Sequence, residues 1–150
     1  MTISKDLFLA LLAMDAYNRG YDQGVSGLSD AQPLSYANPT AQNSSQAAQS
    51  VGFYAIAYDV GSGVDGIPVG TKVISYRGTD AAVDVVTGWL DTFALPVPQV
   101  MLATQFYQDV SGHVLADGKQ GNVVLTGHSL GGGLAGIISL LVLITTLLAY

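Results

Sequence analysis

The end of the sequence constrains the fold more than any other part of it. Lys119 is the last charged residue, and residues 120–150 are formally neutral. An apolar segment of this length has to be covered, because a large exposed apolar patch promotes association. Within it, residues 122–126 (NVVLT) form a short apolar run of the kind that is buried in a parallel sheet.

The composition fits one globular domain. Of the 150 residues, 49% are hydrophobic and 11% are charged, against roughly 25% charged in an ordinary domain. Asp and Glu number 11 against 5 Lys and Arg, a formal net charge of −6 that excludes nucleic-acid binding driven by basic charge. All the acidic residues are Asp and there is no Cys, so thiol chemistry and disulfides are excluded. With two His residues, neither a metal cluster nor a cofactor is expected.

The N-terminal third predicts one helix and a surface loop. Residues 4–17 predict an amphipathic helix that ends near Gly20, a left-handed C-cap. Its apolar stripe is expected to consist of Ile3, Leu7, Ala10, Leu11 and Met14. A signal peptide is the alternative, but Lys5 is its only positive charge and no cleavage pattern follows closely. Residues 24–50 predict a surface loop with a short helix near residues 41–48.

The middle of the chain predicts an α/β fold. Residues 52–60 and 71–76 are rich in strand formers and are expected to pair antiparallel. Residues 81–95 are interpreted as partly helical up to Pro96 and Pro98. A helix over residues 100–116 should present an apolar face made of Val100, Ala103, Tyr107, Val110 and Val114. A strand, a helix and the strand at 122–126 in succession predict a crossover unit. The fold class expected is therefore α/β, with an incomplete, mostly parallel sheet and an N-terminal antiparallel strand pair.

The turn after that last strand carries the clearest chemical motif. Gly127-His128-Ser129-Leu130-Gly131 has the Gly-x-Ser-x-Gly pattern of a nucleophile elbow, between a buried strand and an apolar helix. The turn is so tight that side chains two residues before or after Ser129 would clash, which explains Gly127 and Gly131. The helix that follows aims its N-terminal N–H groups at a developing oxyanion. A passive serine in a Gly-rich turn is the alternative.

His128 is adjacent to Ser129 but is not interpreted as its base. Adjacent residues in a tight turn point in different directions, so we expect His128 to support the turn by packing behind it.

A second motif, at residues 75–80 (SYRGTD), follows the strand at 71–76. Together with TGHSLGG at residues 126–132 and DAYNRGY at residues 15–21, it resembles the class 3 lipases, a branch of the α/β-hydrolases. The resemblance implies a serine esterase or lipase whose oxyanion is bound by Thr79 and by the backbone N–H of Leu130. It also implies that Arg77, with Gly78 beside it, is structural and ties loops beneath the site. Trp89 and residues 95–98 are interpreted as core and loop, with an acyl pocket or lid as the alternative.

The partners of a catalytic triad are missing from their expected places. In α/β-hydrolases the Asp and the His follow the nucleophile, but residues 130–150 contain no Asp, Glu or His. His113 is expected on the flank of its helix, paired with Asp109 at the surface. Without a base, the Ser129 hydroxyl is a poor nucleophile.

Three interpretations of the chain remain, all with residues 1–150 as one domain and residues 137–150 as an atypical apolar tail. The chain is a truncated or frameshifted hydrolase, a compact variant completed by another chain, or a membrane-anchored remnant. The partners expected are an ester or lipid substrate and no nucleic acid, with homo-oligomerisation through a sheet edge and the tail as a further possibility. Membrane contact is not favoured, and without a recognisable signal peptide a cytoplasmic location is slightly preferred.

Overall fold

A computed structural model describes residues 2–19, 36–78, 97–117 and 121–148. In chain order the elements are β1 (Ile3–Ser4), α1 (Lys5–Asn18), β2 (Ala37–Asn43), α2 (Gln46–Ser50), β3 (Ala55–Val60), β4 (Val64–Asp65), β5 (Lys72–Tyr76), α3 (Val97–Ser111), a 3-10 helix (Leu115–Asp117), β6 (Val123–Gly127) and α4 (Leu130–Leu148).

A mixed four-stranded sheet in the order β2-β3-β5-β6 forms the centre of the fold. β3 pairs antiparallel with both β2 and β5, as predicted for β3 and β5, and β6 pairs parallel with β5. Tyr76 lies opposite Gly127, so β5 and β6 end at the same edge of the sheet. β1 and β4 form a separate short parallel pair. This mixture of helices and strands is compatible with the predicted α/β class, and the α/β-hydrolase architecture remains a prediction. The prediction of a mostly parallel sheet is wrong for the described strands, because β2, β3 and β5 follow one another in antiparallel order and only β5 and β6 are joined by a crossover.

Helices cover both faces of the sheet. Successive residues of a strand point to opposite faces, and apolar side chains on both faces have to be buried. On one face, α1 packs through Phe8 and Leu12 against Tyr58 of β3 and Val73 of β5. On the other face, α3 and α4 share a core with the strands, built from Ala55, Ala57, Ile74, Tyr76, Ala103, Phe106, Tyr107, Leu134, Ile138 and Val142. The sheet edge that carries the Gly-x-Ser-x-Gly turn is therefore held between two apolar layers.

The buried stripe of α1 is not the predicted one. The helix buries Phe8, Leu12, Ala13, Asp15 and Ala16. Leu7 and Met14, both predicted to be core, are 55% and 45% exposed. Apolar residues occur nearly all round this helix, so spacing alone does not select a face, and Phe8 offers the largest apolar area to bury. The helix ends at Asn18 and the following residue, Arg19, is extended; the predicted cap at Gly20 lies outside the described residues.

The predicted loop over residues 24–50 contains a strand. β2 occupies Ala37–Asn43 and α2 follows at Gln46–Ser50, while residues 24–35 lie outside the described part of the chain. The polar sequence of β2 and its Pro39 argue against a central strand. β2 is instead an edge strand with an irregularity between Pro39 and Ala41, which is where a sheet tolerates proline.

Helix α3 is shifted towards the N-terminus relative to its prediction. It begins at Val97 and ends at Ser111. Pro98, predicted to break the chain, lies in the first turn, where its missing N–H costs no hydrogen bond. Gly112 has a φ of +73° and ends the helix. Val114, predicted to lie on the apolar face, is 59% exposed. The predicted partial helix at residues 81–95, with Trp89, lies outside the described residues.

Helix α4 continues through the predicted atypical tail as far as Leu148. Its inner face buries Leu134, Ile138 and Val142. Its outer face leaves Leu140, Leu143, Ile144, Leu147 and Leu148 between 43% and 81% exposed. With a mean hydropathy of 2.1, α4 is long and apolar enough to cross a membrane. However, 33% of this apolar stretch is buried within the fold, and the core helix of a soluble protein can be equally long and apolar.

Candidate active site

Ser129 lies in a strained turn between β6 and α4. Its φ is +55°, and among the described residues it is the only one other than glycine with a positive φ. The left-handed region costs an L-residue about 1–2 kcal/mol, so it persists only where the surroundings enforce it. The side chain is exposed at the sheet edge. Ser129 therefore occupies a sharp turn between a strand and a helix, and its role as a nucleophile stays a prediction.

Two glycines allow this turn to lie against the end of β5. A Cβ on Gly127 would overlap the backbone of Gly131 and lie 2.7 Å from the Tyr76 carbonyl oxygen. A Cβ on Gly131 would in turn overlap that oxygen and lie 3.0 Å from the carbonyl carbon of Arg77. All these neighbours are backbone atoms, which cannot rotate away as a side chain would. Gly127 and Gly131 are thus required by close packing, as the sequence predicted.

Backbone hydrogen bonds fix the start of α4. The Gly131 N–H donates to the His128 carbonyl (3.0 Å) and the Gly133 N–H to the Ser129 carbonyl (3.2 Å). Leu130 is the first residue of the helix, and its side chain is buried at 1% exposure. The buried Leu130 side chain fixes the first turn of the helix beside Ser129. The N-terminus of a helix presents N–H groups that have no partner within the helix.

The Arg77-Gly78 segment leaves β5 directly beside the Ser129 turn. A Cβ on Gly78 would overlap the Tyr17 hydroxyl and would lie 2.9 Å from the His128 carbonyl oxygen and 3.3 Å from the Ser129 Cβ. The two motifs, far apart in sequence, are therefore neighbours. Thr79, the predicted oxyanion residue, lies outside the described residues.

Arg77 is buried beneath this edge and is 2% exposed. Its guanidinium lies over the Tyr54 ring, 5.3 Å from the centroid, and donates to the Arg19 carbonyl at 3.5 Å. It thereby joins the end of α1 to the sheet. The structural role in the site that the resemblance implied for Arg77 stays a prediction.

Asp15 extends the same polar network. Its carboxylate is 6% exposed and accepts from the Arg19 Nε at 2.6 Å and from the Tyr58 hydroxyl at 2.7 Å. Burial and the Asp15 carboxylate raise the pKa of the Tyr58 hydroxyl, and burial raises the pKa of Tyr54 to about 12. Sequence reasoning missed this network, although its DAYNRG segment had been noticed for its resemblance to the lipases.

His128 has an exposed side chain, whereas it was expected to pack behind the turn. Its Nδ1 lies 3.3 Å from the Tyr17 hydroxyl, and the two rings meet edge to face with centroids 5.7 Å apart. The same hydroxyl lies 3.3 Å from the His128 carbonyl oxygen. Tyr17, on α1, is thus a site residue that sequence reasoning did not single out.

His113 pairs with Asp117, 3.2 Å from its Nδ1, and not with Asp109 as predicted. The prediction assumed a helix that continued past His113, whereas α3 ends at Ser111 and the chain turns at Gly112. The His113 ring lies near Gly121, just before β6 begins, while Ser129 follows the end of that strand. Five strand residues span roughly 16 Å, so these two side chains lie at opposite ends of β6.

The comparisons with known proteins give one match. The chain matches the phospholipase-like family described as the Tle-like phospholipase domain over residues 8–143. No curated protein and no solved structure matches the chain. The matched range includes Ser129 and continues into the segment at residues 137–150. It supports the predicted lipase-like family, whereas membership of the class 3 lipases or of the α/β-hydrolases remains a prediction. Because the match covers most of its length, the chain belongs to the Tle-like phospholipase domain family.

Proposed function

We propose that the protein hydrolyses carboxylic esters of lipids, with Ser129 as the nucleophile. The observation that carries the proposal is the φ of +55° at Ser129, on an exposed turn between β6 and α4. A passive turn would relieve this strain by placing glycine at that position, as the chain does at its other described positive-φ positions. A strained backbone kept at a serine whose side chain is exposed at a sheet edge is typical of a nucleophile elbow.

The oxyanion of the tetrahedral intermediate would be bound by the Leu130 N–H and by Thr79. The close approach of Gly78 to Ser129 supports this pairing, because Thr79 follows Gly78 directly. Donors held in place by backbone interact more strongly with the charged intermediate than with the neutral ester, which lowers the barrier.

The reaction divides into two acyl transfers. The Ser129 Oγ attacks the ester carbonyl carbon and loses its proton, and the C–O bond to the alcohol breaks as the alcohol takes up a proton. Water then attacks the acyl-enzyme and releases the carboxylic acid, and Ser129 regains its proton. This chemistry uses no cofactor.

The base that accepts the Ser129 proton is unassigned. His113 is excluded by its position at the far end of β6, and residues 130–150 offer no Asp, Glu or His. A base from a second chain fits the interpretation of a compact variant completed by a partner. An oxyanion site without a base retains only a small part of a full triad's rate.

The proposal is tested with p-nitrophenyl butyrate and with phosphatidylcholine vesicles, using Ser129→Ala as the matched control. We expect turnover by the wild-type protein and none above background by the variant. A fluorophosphonate probe should also label the wild-type protein on Ser129, as located by mass spectrometry. Equal rates for the two proteins would refute the mechanism.

A second candidate function, self-association of an inactive chain, is favoured by two observations. β6 is the last strand of the sheet in the described part of the chain, and all five of its residues are partly exposed although it is mostly apolar. The outer face of α4 is also apolar and exposed. An open edge of this kind invites strand pairing. Light scattering that shows a monomer would contradict this candidate, and recovery without detergent would contradict a membrane anchor.

A further inference from the structure

The strained backbone at Ser129 requires something to hold it. The φ torsion of Ser129 sets the orientation of the peptide plane that joins it to His128. Any relaxation of that φ swings the His128 carbonyl oxygen. Groups that bind this oxygen therefore hold the serine in place, and with it the direction of the Leu130 N–H.

Two donors reach the His128 carbonyl oxygen from different parts of the fold. The Gly131 N–H, from α4, lies 3.0 Å away, and the Tyr17 hydroxyl, from α1, lies 3.3 Å away. Tyr17 and His128 are 111 residues apart in sequence. Only the second donor ties the turn to another layer of the fold.

The same hydroxyl contacts the other half of the site. A Cβ at Gly78 would overlap the Tyr17 oxygen, so the bare backbone of Gly78 allows the hydroxyl to approach. Tyr17 thus lies between the segment that leads to Thr79 and the turn that carries Ser129. It contacts both of the segments that the proposed mechanism requires to be in register.

The single hydrogen of the Tyr17 hydroxyl bears on which nitrogen of the His128 ring is protonated. A phenol has one hydrogen to donate, yet the Tyr17 oxygen lies 3.3 Å from both the His128 carbonyl oxygen and its Nδ1. If both contacts are hydrogen bonds and Tyr17 donates to the carbonyl, as positioning of the turn requires, His128 carries a hydrogen on Nδ1.

We propose that Tyr17 is a positioning residue for Ser129, acting through the His128 carbonyl. This inference rests on the proposed function, because it assigns Tyr17 a role in that same site. Both contacts are long for hydrogen bonds to a hydroxyl, and catalytic hydrogen bonds often reach their short geometry only in the complex with substrate.

The test compares Tyr17→Phe with Tyr36→Phe, which removes the same atom from a tyrosine packed against the core between α1 and the sheet. Tyr17→Phe keeps the ring against His128. We expect its kcat for p-nitrophenyl butyrate to fall about fivefold to tenfold with KM little changed, the size expected for one lost hydrogen bond. The rate at which a fluorophosphonate labels Tyr17→Phe should fall in parallel. The Tm of both variants and the activity of Tyr36→Phe should stay at wild-type values.

Equal kcat in the two variants, in a wild-type protein that turns over, would overturn the inference and leave the proposed function intact. If the wild-type protein neither turns over nor labels, the proposed function fails, and the NMR signals of the ¹⁵N-labelled histidine rings test the tyrosine contact separately. We expect the Nδ1–H tautomer at His128 in the wild-type protein and its loss in Tyr17→Phe, with His113 as the internal reference. An identical tautomer in both proteins would overturn the inference.

Discussion

Gly131→Ala should destabilise the protein although alanine is the better helix former. The added methyl would overlap the Tyr76 carbonyl oxygen and lie 2.7 Å from the carbonyl carbon of Tyr76 and 3.0 Å from that of Arg77. To make room, the start of α4 has to move away from the end of β5, which opens the packing between helix and sheet. Overpacking of this kind costs about 1–3 kcal/mol, and more where only backbone can yield.

The same helix supplies a matched control. Gly136 is exposed, and a Cβ there meets no atom within 4 Å. Gly136→Ala should therefore stabilise the protein by about 0.5–1 kcal/mol, the helix propensity gain together with the reduced entropy of the unfolded chain. The same gain applies at Gly131, so the net loss there should be about 2 kcal/mol. Identical substitutions five residues apart are expected to have opposite signs.

Urea denaturation and thermal melting of the three proteins, both followed by circular dichroism, measure the two effects. At 150 residues, 1 kcal/mol corresponds to a Tm shift of about 2–4 °C, so the two variants should differ by about 5–12 °C. A Gly131→Ala protein as stable as Gly136→Ala, with an unchanged dependence of unfolding free energy on urea, would refute the close packing of the turn on β5.

Three further predictions concern the strain, the buried tyrosines and His113. Ser129→Gly should be more stable than Ser129→Ala by about 1 kcal/mol in urea denaturation, because glycine tolerates the φ of +55°; equal stabilities would mean that the turn is unstrained. Raising the pH from 10 to 12 should lower the free energy of unfolding, because the raised folded-state pKa of Tyr54, about 12, lets the unfolded chain lose its proton first. That stability is complete below pH 10, and Tyr54→Phe should reduce the loss; a flat profile over this range contradicts the burial of the hydroxyl. His113→Gln should leave ester turnover unchanged, because this side chain lies at the far end of β6, and a large fall in kcat would identify His113 as the missing base.

The parts of the fold that the sequence predicted well are those where one physical cause dominates. The strand pair β3–β5 followed from runs of strand-forming residues bounded by turns. The tight turn at Ser129 followed from the glycines on either side of it, which the structure packs against the backbone at the end of β5. In both cases the information lies within a few neighbouring residues.

The parts that it missed depend on distant neighbours. β2 is polar and contains Pro39, and it becomes a strand only because β3 offers it an edge. The buried face of α1 is selected by the sheet, since several faces of that helix are apolar. Tyr17 could not be assigned to the site without the fold, because its partners at Gly78 and His128 belong to other segments.

The parallel pairing of β5 with β6 has a consequence for the order in which the chain folds. The antiparallel strands β2, β3 and β5 are close in sequence, whereas the contact of Thr71 with Asn122 at the start of the β5–β6 pair closes a separation of 51 residues. Closing a long loop lowers the entropy of the chain before the new contact contributes any favourable energy. This step is therefore slow compared with hairpin formation. Until it is complete, the inner face of α4 lacks β6 as a neighbour, and α4 is the most apolar of the described helices. The segment that carries the proposed nucleophile is therefore also the one whose apolar surface is covered late in folding.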